Sequence, residues 1–127
     1  MLVDCKSMVR KFFRSFGYAF SGIAYAFNTQ FNFKFHTAAV VLVSTTGCYF
    51  RLTIPEWLWI ISAIGFVLIT ELLNTAIEVL VDLVSPAYHE KAKIVKDVAA
   101  GAVLISAVLS VLIGLLIFIP KIISYAS

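Results

Sequence analysis

Residues 57–83 read WLWIISAIGFVLITELLNTAIEVLVDL, a nearly unbroken apolar run with Glu71, Asn74, Glu78 and Asp82 in its second half. At about 100° per residue these four side chains fall within an arc of roughly 80°, so the run is a helix with one polar stripe. An ionised carboxylate at mid-bilayer costs about 2.5–3.5 kcal/mol on insertion scales, so acids on such a stripe need a reason. At 1.5 Å per residue the run is about 40 Å long, roughly 10 Å more than the hydrocarbon core of a bilayer. With Trp57 and Trp59 at one interface, Glu78 and Asp82 reach the opposite headgroup zone, and Glu71 and Asn74 lie just beneath it.

The rest of the chain fits a membrane setting. Its 127 residues are 61% hydrophobic and 13% charged, with mean hydropathy +0.99; soluble domains carry about 25% charged residues. The length allows a single all-α membrane domain over residues 1–127. Spans are expected at about 33–50, 57–83 and 96–119. The first is short and counts as a span because the charge distribution requires it. Lys6, Arg10, Lys11, Arg14, Lys34, Lys91, Lys93 and Lys96 then share one side, against Arg51 and Lys121 on the other. That asymmetry puts the N-terminus in the cytoplasm. The net charge of +3 suits anionic inner-leaflet lipid, not nucleic acid.

Ahead of the first span, Val9, Phe12, Phe13, Phe16, Phe20, Ile23 and Phe27 recur at helical spacing among basic residues. This predicts an amphipathic surface helix over about 6–28. Residues 28–36, NTQFNFKFH, read as a polar turn at the interface, and Arg51 to Glu56 as a tight outer loop with Pro55 opening the next helix. Ser85-Pro86 ends that helix, PAYHEKAKIVKD leads into the last span, and Pro120-Lys121 closes it. The small run Ala99 to Ala102 lets helices approach closely. The first residues hold no uninterrupted apolar core of a cleavable signal peptide. Cys5 and Cys48 are placed too differently to pair, and neither has a partner at metal-ligand spacing.

Familiar phosphate-binding loops are missing: there is no GxxxxGK[ST] and no GxGxxG, and no HExxH or paired-cysteine motif suggests zinc. A nucleotide would have to be held through a carboxylate-bound Mg²⁺ and basic side chains. Glu78 suits the metal, Lys96 the phosphate charge, and Glu71, desolvated near the interface, a general base acting on an alcohol. The plainer alternative for the stripe is interhelical hydrogen bonding in an oligomer. Four polar residues in register beside Lys96-Asp97 favour a site. His89 reads either as an ordinary interfacial histidine or as a nucleotide contact. A small transporter fits less well, because the polar groups cluster at one face and leave the outer half without a polar path.

The run Glu71-Leu72-Leu73-Asn74-Thr75-Ala76-Ile77-Glu78, followed by Asp82, His89, Ala92, Lys96-Asp97 and Ala100, resembles the prokaryotic diacylglycerol kinase family, which includes the undecaprenol kinases. The likeness covers roughly residues 10–115 and rests on E-x-x-N-[ST]-A-x-E-x-x-x-D, then H and K-D. It implies a homotrimer of three-span protomers in a bacterial inner membrane, with active sites shared between neighbours. It also implies Mg-ATP-dependent phosphorylation of a lipid hydroxyl, serving phospholipid or cell-wall carrier metabolism. On that resemblance Glu71 is the catalytic base and Asn74 an active-site amide. Lys11, Tyr18, Gln30, Glu78, Ala87, Tyr88, His89, Lys96 and Asp97 contact the nucleotide and its metal, and Gly17, Tyr18, Glu71 and Ala100 line the lipid site.

One departure stands out. The family usually has a glutamate that holds metal with the equivalent of Glu78, and here Gln30 takes its place. An amide oxygen ligates Mg²⁺ without charge, so a catalytically weakened or non-catalytic trimer is the alternative expectation. Lys11 stands where an arginine can occur and lacks its fork. Asn32, Lys34 and His36 match the N-x-[RK]-x-H of the undecaprenol kinase branch, which favours a polyprenol over diacylglycerol.

Overall fold

The computed structural model describes residues 4–127, which form four helices: α1 (Cys5–Thr29), α2 (Phe31–Tyr49), α3 (Ile54–Val84) and α4 (Glu90–Ala126). Helix α1 starts where the Asp4 carboxylate accepts from the Lys6 backbone N–H at 3.2 Å. Its aromatic face, including Phe12, Phe13, Phe16 and Phe20, is exposed, and only Ala26 is buried. The predicted surface helix over 6–28 thus matches α1 within one residue at each end.

The predicted turn over 28–36 contracts to a single residue. Gln30 has extended φ and ψ of −105° and 115°. Its N–H donates to the Ala26 carbonyl at 2.8 Å, which closes α1, and its carbonyl accepts from Lys34 N–H at 3.3 Å, which opens α2. Asn28 and Thr29 finish α1 and residues 31–36 open α2, so the break takes only one residue.

Helix α3 begins with a reciprocal cap. Thr53 N–H donates to the Glu56 carboxylate at 2.8 Å, and Glu56 N–H donates to the Thr53 hydroxyl at 3.4 Å. Pro55 sits in the first turn, where its missing N–H does no harm. At about 1.5 Å per residue, the 31 residues of α3 extend roughly 46 Å and the 37 of α4 roughly 55 Å. Both are long and apolar enough to cross a membrane.

Helices α3 and α4 form the main hairpin. Buried along these helices are Ile60, Ala63, Val67 and Asn74 on α3 and Ala99, Val103 and Ser106 on α4. Small residues let the backbones approach, and hydroxyls then bridge them. Ser106, 0% exposed, shares a 2.8 Å hydrogen bond with Thr70, and the Ser110 hydroxyl donates to the Ala63 carbonyl at 3.2 Å.

Pro120, expected to close the last span, does not end the last helix. Helix α4 continues through it to Ala126. Proline lacks the N–H that would bond the carbonyl four residues back, yet its fixed φ is compatible with a helix. The segment beyond it is held by Lys121 to Glu56 at 3.0 Å and by Tyr49 donating to Tyr125 at 3.0 Å. Helix α4 begins at Glu90, within the segment expected to lead into the last span, because His89 caps it by accepting from Lys91 N–H at 3.1 Å.

Candidate active site

The polar stripe on α3 is graded in burial. Glu71 is 1% exposed and Asn74 7%, Glu78 is half-buried, and Asp82 is exposed. The gradient follows from where neighbours end: α2 and α4 cover the middle of α3, and nothing covers its last turns as completely.

Gln30 reaches the stripe from the α1–α2 break. Its side-chain amide donates to Glu78 Oε2 at 3.3 Å, and the Asn74 amide donates to Glu78 Oε1 at 3.2 Å. Each oxygen of Glu78 therefore has one neutral donor. Among the described residues no Lys or Arg lies within 4 Å of it. With neutral donors on both oxygens and no cationic side chain beside it, this carboxylate is open to a cation. Among the described residues, no three His, Cys, Asp or Glu side chains converge as a ready-made metal cluster. Glu78 supplies a carboxylate there, while Gln30 meets it through its N–H and would hold an ion only with its amide turned to present Oε1; so sparse a protein set is the kind Mg²⁺ uses when phosphates complete its shell.

Glu71 lies deeper. Its Oε1 is 3.4 Å from His36 Nε2 on α2, within ion-pair reach but not aligned for a hydrogen bond. Among the described residues, neither Glu71 Oε1 nor Asn74 Oδ1 has a hydrogen-bond donor. Buried acceptors left unmet cost about 1–3 kcal/mol each, so this pair is poised to receive donors from outside the chain. His36 joins the site without having been assigned a role from the sequence, where it closes the polar segment 28–36 and the N-x-[RK]-x-H pattern. An imidazole at the mouth of an apolar run was the available signal.

The remaining expected residues are not gathered here. Asp82 pairs with Lys96, and Asp97 with Lys93 one turn before it. Ser85 donates to the Ala87 carbonyl at 3.0 Å, Tyr88 is 83% exposed, and His89 serves as the α4 cap. On α1, Lys11 and Tyr18 are exposed and Gly17 faces open space. Ala100 is exposed, next to the buried Ala99. Within this chain, the structure joins Gln30, Asn74 and Glu78, sets His36 against Glu71, and leaves the others on open surfaces.

An all-helical protein with a carboxylate–amide cluster near one end of a membrane-length hairpin belongs to a narrow class. Residues 17–118 match the model of the prokaryotic diacylglycerol kinase family, and the chain belongs to that family. It is 48% identical to the undecaprenol kinase of Bacillus subtilis (strain 168), over 93% of this chain and 96% of the relative. It is 45% identical to a diacylglycerol kinase of Synechocystis over 87% of this chain and 63% of that protein. With the diacylglycerol kinase of Escherichia coli K12 the identity is 32%, over 76% and 79% of the two chains. These matches favour the catalytic expectation over a non-catalytic trimer.

Proposed function

We infer that the protein is a membrane lipid kinase, transferring the γ-phosphoryl group of ATP to the hydroxyl of a lipid alcohol. Undecaprenol is favoured over diacylglycerol as substrate. Two observations support that preference: the undecaprenol kinase relative aligns over nearly its full length, and Asn32, Lys34 and His36 carry that branch's pattern.

The observation that carries the kinase reading is the burial gradient on α3, from Glu71 at 1% exposed to exposed Asp82. One helix face thus offers a base to a hydroxyl arriving from lipid and a metal-holding carboxylate to phosphates arriving from water. Glu71 accepts the hydroxyl proton, and Asn74 presents its unmet Oδ1 beside it. Glu78 and Gln30 would hold Mg²⁺, which when bound neutralises charge on the triphosphate. Lys96 adds a second positive charge, and His89, Asp97, Ala87 and Tyr88 stand on the same side for the nucleotide.

In this reading α2, α3 and α4 span the inner membrane of a bacterium, α1 lies on its cytoplasmic face, and the N-terminus is cytoplasmic. Three protomers share sites, so that exposed Lys11, Gly17, Tyr18 and Ala100 complete a neighbour's nucleotide and lipid contacts. The test is phosphorylation of undecaprenol, diacylglycerol and short prenols by Mg-ATP in mixed micelles. Glu71→Gln and Glu78→Gln are each expected to lower turnover by at least about 10²-fold. Turnover retained in both variants removes the assignment.

A further inference from the structure

We propose that His36 is a positioning residue for Glu71, receiving from the buried carboxyl the proton taken from the lipid alcohol and passing it outward. The inference rests on the kinase reading above and on Glu71 as its base.

Burial sets the problem. In each turnover the lipid O–H bond breaks and its proton goes to the Glu71 carboxylate. The lipid oxygen bonds to the γ-phosphorus as the bond from that phosphorus to the bridging oxygen breaks, and ADP leaves. Glu71 then holds a proton it must lose before it can act again, and its side chain is 1% exposed. The Asn74 amide and the Thr75 hydroxyl beside it cannot take a proton near neutral pH; Thr75 instead donates to the Glu71 carbonyl at 2.9 Å.

His36 can take it. Its Nε2 stands 3.4 Å from Glu71 Oε1, and its side chain is 18% exposed. A neutral imidazole accepts at one ring nitrogen and releases from the other, so one ring can link a sealed group to an open one. Catalytic hydrogen bonds are often long before substrate is bound, and a 3.4 Å approach is within the range that closes.

The surroundings of His36 leave no other candidate. It lines a largely apolar cleft of about 390 Å³ between α2, α3 and α4. The α3 wall lies within residues 60–68 and the α4 wall within 107–118, and neither stretch contains an ionisable residue. Among the described residues, the acids near His36 are Glu71 and, two turns further along α3, Glu78; Lys34 on its own helix is exposed.

The experiment compares His36→Ala, His36→Gln and Glu71→Gln in the full chain, using steady-state and single-turnover kinetics with and without free imidazole. His36→Ala is expected to lose roughly 10²-fold in kcat with KM for ATP unchanged and the first turnover preserved. Imidazole should restore its steady rate. It should restore neither His36→Gln, which fills the space without a transferable proton, nor Glu71→Gln. The proposal is overturned if His36→Ala keeps its kcat, if imidazole has no effect on a variant of native helicity and oligomeric mass, or if His36→Gln turns over normally. An active Glu71→Gln would instead remove the base itself, an outcome distinct from any failure at His36.

Discussion

Replacing Gln30 by glutamate sets a second carboxylate against Glu78, and its consequences can be worked out from the geometry. The Gln30 amide nitrogen lies 3.3 Å from Glu78 Oε2. Two unit charges 3.3 Å apart repel by about 5 kcal/mol at an effective dielectric near 20. The substitution also removes a charge-assisted hydrogen bond worth about 1.5–3 kcal/mol. The Asn74 amide is already committed to the other oxygen at 3.2 Å and cannot compensate. The variant escapes the repulsion by binding a proton or a cation between the two acids. Toward a divalent ion at ~4 Å, the added charge contributes nominally about 4 kcal/mol per unit of cation charge before water and phosphates offset it. Even a third of that, about 1.4 kcal/mol, is tenfold in binding. Gln30→Glu should therefore lower the Mg²⁺ concentration for half-maximal activity by about tenfold or more. Its Tm should fall in chelator and recover with Mg²⁺. Titrating Mg²⁺ in the micelle assay and following thermal unfolding measure both. An unchanged Mg²⁺ dependence, with equal Tm in chelator and metal, would refute the idea that positions 30 and 78 face one cation.

Lys96→Met removes the partner of Asp82, a pair 39% and 66% exposed. Such pairs contribute about 0–1 kcal/mol, so Tm should hold while KM for ATP rises, and an unchanged KM takes Lys96 out of the nucleotide site. In Gly47→Ala the new Cβ would lie 2.8 Å from Trp57 Cη2 and 3.0 Å from Leu52 Cδ1. Overpacking of that kind costs about 1–3 kcal/mol, measurable by denaturant unfolding in detergent. Thr70→Val breaks the 2.8 Å link to Ser106, whose hydroxyl still donates to the Val103 carbonyl. A loss near 0.6 kcal/mol, and no more than about 1.7, is expected in the same assay.

The sequence made the helices legible because their signals are local: apolar runs, the Thr53 to Pro55 start, and the Ser85-Pro86 stop. Helical angle also put Glu71, Asn74 and Glu78 on one side of α3, and the family resemblance set Gln30 beside Glu78; in the structure Gln30 and Asn74 each donate to Glu78. Asp82 shares that face by angle but pairs with Lys96 on α4, because beyond Glu78 the nearest element is the returning helix. The contact between His36 and Glu71 was not legible, since it depends on the register of α2 against α3. That register is set by a short turn in which Arg51 takes a left-handed φ of 53°. The continuation past Pro120 depends on distant partners, Glu56 and Tyr49, that no local rule could supply.

Those distant partners give the bundle a fastened rim. Tyr125 and Lys121 lie beyond the proline, so α4 has to run on past it to reach its clasps on Tyr49 and Glu56. At the other rim the same two long helices are joined by the exposed Asp82–Lys96 pair. The chain itself turns from one helix to the other there through residues 85–89, so the hairpin is tied at both ends.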